Sequence, residues 1–133
     1  MTEHTFIRAV HRKLPRGIHH WKIAARFARG VPDAWYSGDG GDVWVEYKYI
    51  PRTPVKSFTP DLTPLQKAWL TKRKSEGRNV AVVVGCPDGA VVLRHWDEKI
   101  ETNTMDWLDI DGVVTWIAAQ TLSSYTATVS SVG

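Results

Sequence analysis

The chain is nearly without cysteine: Cys86 is the only one in 133 residues, which excludes an intramolecular disulfide and any zinc site built on several thiolates. A reducing, cytoplasmic setting fits that usage. No apolar run approaches the roughly 20 residues of a membrane-spanning helix. The N-terminal MTEHTFIRAVHRKLP sets charges on both sides of a few apolar residues, unlike the apolar centre of a secretory signal. The expectation is a soluble protein with no membrane partner. There is no internal repeat and no Gly, Pro or charge bias of the kind that keeps a chain disordered. HEXXH and CXXC are absent. His19 and His20 are adjacent, so on a strand they point to opposite faces and do not readily chelate one ion. Asp39, Gly40 and Asp42 lack the bidentate glutamate that closes an EF-hand loop, and Cys86 lacks the sequence context of a cysteine hydrolase.

What is present suits one domain with a sizeable core. The net charge is only +3, but basic residues dominate Arg8 to Arg29 and Lys67 to Arg78, while Asp97 to Asp111 is acidic. That asymmetry favours an anionic partner on one side, as nucleic acid would be, or two solvated helix faces. Phe6, Ile7, Val10 and Leu14 recur at helical spacing. Glu3 lies on the same stripe, an unusual place for a carboxylate unless the helix dipole holds it in the first turn. IHHWKIAARF reads as a strand, Gly30 to Asp33 as a turn, and Ala34 to Tyr36 as a short strand. SGDGGD is then a hairpin loop into a strand over Val43 to Tyr49. The stretch from Pro51 to Leu62 is a long connection without periodicity. Thr63, Pro64 and Gln66 form a capping box that opens a helix ending at Gly77, with Leu65, Ala68 and Trp69 as its apolar face. Two strands follow, turning at Cys86 to Gly89. A helix is predicted over Val113 to Ala119, and a loose tail from Thr121. Trp107 and Trp116 read as core residues, with a dimer surface as the alternative. The order gives an α/β sandwich with a small mixed sheet.

Within the strand VWVEYKY, Glu46 and Lys48 interrupt a core pattern. Residues two apart share a face, so these two project together while the Tyr47 side chain points the other way. Each buried charge costs several kcal/mol unless compensated. A hairpin partner opening at Asp33 can bring a second carboxylate alongside. Two carboxylates and a backbone carbonyl make a hard-oxygen site suited to Mg²⁺ or Mn²⁺.

GVPD, followed after a short hairpin by WVEYK, resembles the PD-(D/E)XK nuclease superfamily. HWKIAARFARGVPDAWYSG, VWVEYK and TPLQKAWLTKRKSEGRNVAVVVG resemble its compact VRR-NUC branch, typically standalone phage and bacterial nucleases, some of them resolvases of branched DNA. The likeness spans roughly residues 3 to 93. It implies a restriction-endonuclease-like core over residues 1–96, with residues 97–133 as an extension of the same domain. It also implies metal ligation by Asp33, Glu46 and the Tyr47 carbonyl. Lys48 would orient the attacking water or stabilise the phosphate's growing charge, and Glu3 would support metal through water. Gln66 would stand near the metal-bound water, although its capping role explains the same residue.

The implied activity is metal-dependent endonucleolytic hydrolysis of DNA, selective for branched structure, by a homodimer. Lys22, Arg26, Arg29 and Lys67 are the candidate phosphate contacts; Lys22 could equally extend its stem over the sheet into water. Two other readings remain, a non-catalytic DNA-binding module on a nuclease fold and an RNA-cleaving enzyme.

Overall fold

The computed structural model describes residues 1–23 and 29–124. Helix α1, Glu3–Arg12, starts at Thr2, whose side chain accepts the Thr5 N–H while Thr5 reciprocates. It is followed by strands β1 (His19–Lys22), β2 (Ala34–Gly38) and β3 (Gly41–Tyr49). After β4 (Ser57–Phe58) come α2 (Pro64–Ser75), β5 (Val80–Cys86), β6 (Gly89–Leu93), β7 (Ile100–Glu101) and α3 (Ile110–Thr121). The main sheet runs β1-β2-β3-β5-β6. β3 and β5 are parallel, joined by the crossover through α2, and the other neighbours are antiparallel. Among the described residues no helix is long and apolar enough to cross a membrane.

Strand parity divides the core in two. Tyr36, Val43, Val45, Tyr47 and Val83 face α1 and α3, meeting Phe6, Ile7, Val10, Val113 and Ile117. Val80, Val82, Val84, Val91 and Leu93 face the other way, toward Leu70 of α2 and Trp96. β5 is buried along its whole length, as a strand covered on both faces must be, and its run of valines reflects that. Trp107 and Trp116 are partly buried, one against each cluster.

The structure departs from the sequence reading at five places. The strand expected over residues 18–27 is regular only from His19 to Lys22, and residues 24–28, Arg26 among them, lie outside the described part. In α2, Leu65 and Ala68 are exposed and the buried side chain is Leu70. The helix turns this way because Gln66 faces the sheet. The long connection contains β4, which pairs with β7; two-residue strands leave no periodicity to read. α3 is longer than expected, because the Asp109 side chain caps it by accepting the Gly112 N–H. Thr121, expected at the start of a loose tail, is fully buried at the end of that helix.

The glycines of SGDGGD have a packing cause. A Cβ on Gly38 would stand 2.5 Å from the Thr121 carbonyl oxygen, and one on Gly40 would stand 2.6 Å from the Ser123 nitrogen. The hairpin is therefore the seat of the α3 C-terminus. Asp39 belongs to that seat, accepting from the Ser123 N–H and hydroxyl at 3.0 and 2.9 Å.

Candidate active site

Asp33 stands just before β2 and joins three segments. Its carbonyl accepts the Ile23 N–H at 2.8 Å, and its Oδ2 accepts the Tyr47 N–H at 2.8 Å. Since Ala34 pairs with Val45, the next step along the ladder sets Asp33 beside Glu46. Glu46 sits in the middle of β3 with Val82 of β5 as its partner on the other side, and it is only 2 % exposed. Lys48, two residues on and on the same face, places Nζ 3.7 Å from Glu46 Oε2.

The capping box of α2 also serves the site. Gln66 Oε1 accepts the Thr63 N–H at 3.0 Å while its Nε2 donates to Glu46 Oε2 at 3.1 Å. One side chain therefore caps the helix, as expected, and also hydrogen-bonds the Glu46 carboxylate. A Pro at the first helical position sets the local backbone that makes this geometry possible.

Charge at the site is unbalanced. Burial, then the negative charge of Asp33, pushes the Glu46 carboxyl up to about 8; Lys48 opposes the shift, while the charge of Glu3 adds to it. Glu3, in the first turn of α1, is also raised, by burial and then by Asp33, against Lys48 and Lys22. α1 thus delivers a third carboxyl to the neighbourhood. Glu46 Oε1 is buried and has no hydrogen-bond partner. A buried carboxylate oxygen without a donor is costly, and hard oxygens of this kind are what Mg²⁺ or Mn²⁺ takes. The residues present therefore fit a divalent cation. Among the described residues, no three His, Cys, Asp or Glu side chains converge closely enough to hold an ion by themselves.

The Tyr47 side chain crosses to the opposite face. Its hydroxyl lies 2.6 Å from that of Tyr36, which lies 2.7 Å from His11 Nε2. This buried chain fixes β2 and β3 against α1 directly behind the carboxylates. Burial raises the Tyr47 hydroxyl well above its ordinary range, so it stays neutral.

The candidate phosphate contacts are more dispersed. Lys22 is exposed at the end of β1, its Nζ 2.8 Å from His4 Nδ1, and its charge reaches Glu3. Arg29 is exposed just ahead of the Asp33 turn. Lys67 is half-buried beside Gln66 on α2. The sequence reading passed over a group of tryptophans on the Glu46 face, Trp35 and Trp44 among them. Parity carries the signal: Trp44, Glu46 and Lys48 alternate along β3.

The mixed sheet flanked by helices has the restriction-endonuclease-like fold. It is similar to the 1.6 Å structure of Archaeoglobus fulgidus Hjc, a Holliday junction resolvase from an archaeal hyperthermophile. The TM-score is 0.50 at 13% sequence identity, over 84% of this chain and 97% of that one. No protein-family model and no curated protein matches the sequence.

Proposed function

We propose that the chain is a divalent-metal-dependent endonuclease that hydrolyses DNA phosphodiester bonds at branched structures, and that it works as a homodimer. The observation that carries this reading is Glu46: a buried carboxylate with one unpartnered oxygen, flanked by Asp33 and Lys48 and aimed by Gln66.

In this reading Asp33, Glu46 and the Tyr47 carbonyl hold Mg²⁺ or Mn²⁺. A cation bound there would polarise the phosphoryl oxygen and lower the pKa of water. Lys48 donates to the attacking water or to the phosphate oxygen on which charge grows. Gln66 keeps the Glu46 carboxylate in place, and Glu3 holds water at the outer side. Lys22, Arg29 and Lys67 bind flanking phosphates, and Arg26 is assigned the same role from sequence alone. No covalent intermediate is required. Residues 97–133 extend the nuclease core, with α3 packed into the same apolar cluster as α1.

Branched DNA is favoured as substrate because a protein of similar fold is a Holliday junction resolvase. A two-fold dimer would present two sites to a junction's paired phosphates. A cytoplasmic location, in a bacterium or in the host of a phage, goes with that role.

The test compares labelled four-way junction, flap, linear duplex and single-stranded DNA, with matched RNA, in Mg²⁺, Mn²⁺ or EDTA. Metal-dependent cutting strongest on the junction supports the reading. Cutting of RNA alone, or binding without cutting under every metal, contradicts it.

A further inference from the structure

The face of the sheet that carries Glu46 and Lys48 is only partly covered. α2 lies over β5, whereas every residue of β1 is exposed. Register sets three tryptophans in a row across the uncovered strands: Trp21 pairs with Trp35, and Trp35 pairs with Trp44. The rings of Trp35 and Trp44 are 6.0 Å apart, and Trp44 meets Trp69 of α2 edge-on at 5.2 Å. The Arg73 guanidinium lies 5.6 Å over the Trp69 ring. Trp21 is 64% exposed, and the other three indoles are only partly buried. Trp35 is held in place by its Nε1–H, which donates to Asp42 Oδ2 at 3.2 Å. Beside the row opens a cavity of about 680 Å³ into which Trp35, Trp44, Trp69, Arg73 and Arg78 project.

Trp44 and Trp69 pack in part against the Leu70 cluster, but none of the four indoles is fully covered and Trp21 stands in solvent. Arg73 pairs with Glu76 at 2.7 Å, and Asp42 is spent on Trp35. The acids at the rim are thus already engaged. Trp44 is two residues before Glu46 on the same face, about 7 Å along the strand. The row and the carboxylate site thus share one face of β3.

We propose that the tryptophan row is a stacking platform for unpaired bases of the nucleic-acid strand that is to be cut, with Arg73 and Arg78 on its phosphates. Aromatic faces accept any base, and guanidinium groups add cation–π and phosphate contacts. The occupant is a single-stranded segment, because a base within a duplex offers no free face. This proposal rests on the nuclease reading and refines it: branch selectivity would come from capture of bases unpaired at the branch.

Binding is measured in EDTA, so that cutting plays no part, from the anisotropy of a short labelled oligothymidine and from quenching of the protein's tryptophan fluorescence. Trp35→Leu and Arg73→Gln are each expected to weaken binding about tenfold, and Trp21→Ala, an exposed position that does not threaten the fold, by a smaller factor. Circular dichroism and melting establish that each variant is folded.

Wild-type affinity and quenching in folded Trp35→Leu and Trp21→Ala would overturn the platform. So would a change of sedimentation in those variants without a change of DNA affinity, which would make the face a contact between two copies of the chain. If the oligonucleotide binds and quenches through these residues but nothing is cut under any metal, the platform stands and the nuclease reading fails. If DNA is cut and the tryptophan variants bind as wild type, the reverse holds.

Discussion

Glu46 must ionise against burial and against Asp33, and this gives the metal-free protein a distinctive pH response. Its carboxyl is raised from 4.5 to about 8 in the fold, so between those values the native state holds a proton that the unfolded chain has released. The stability it contributes is full below about 4.5 and is lost as pH rises toward 8. Glu46→Gln should therefore melt higher than wild type in EDTA at pH 8, by roughly 1–3 kcal/mol, with the gap closing toward pH 5. Mg²⁺ should narrow it by stabilising wild type alone. A gap independent of pH and metal would mean that Glu46 is not a strained acid. At this scale much of the candidate site was legible: Glu46 and Lys48 stand out because charge in a valine-rich strand demands an explanation, and Asp33 stands just ahead of the strand paired with theirs. That Gln66 caps α2 and also holds Glu46 was not, since a capping box accounts for the residue completely and the second bond runs to a strand 20 residues away.

At the scale of elements, the α2 cap and the hairpin could be read from local chemistry, because capping and turn residues act on their own backbone. The facing of α2 could not. Its apolar residues are spread around the helix, and its orientation is set by what it covers: Leu70 in the core and Gln66 at the carboxylate. Leu70→Ala should cost about 2–5 kcal/mol in denaturant unfolding, while exposed Leu65→Ala stays within about 0.5 kcal/mol. Equal losses would restore the face inferred from sequence.

α1 carries a second pH response, opposite in sign. Burial, then the charges of His20 and Lys22, lowers His11 to about 4. The unfolded chain therefore takes up a proton first as pH falls below 6.5, and stability present above that value is lost toward pH 4. His11→Gln should flatten the fall in Tm between pH 7 and 5; an unchanged slope would assign it to other groups.

Across the whole molecule, the C-terminal third had no readable purpose in sequence, because its role is defined by distant partners. α3 closes the core over β3 and seats its end on the β2–β3 hairpin, whose glycines are small for that reason. Gly38→Ala, with its Cβ forced against the Thr121 carbonyl, should destabilise by about 1–3 kcal/mol while leaving the carboxylate geometry, and hence metal-dependent cutting of the folded fraction, near wild type. A neutral effect on melting would mean that the α3 seat gives way at little cost.

The central claim is that Asp33, Glu46 and Lys48 form a metal-dependent phosphodiester site. Its most direct test is the rate of cutting of a labelled four-way junction in Mg²⁺ by wild type, Glu46→Ala and Lys48→Ala, with junction binding measured on the same preparations in EDTA. The account predicts that wild type cuts, that both variants lose cutting by a factor of at least about 10², and that all three bind the junction with similar affinity. Cutting retained in both folded variants would contradict it.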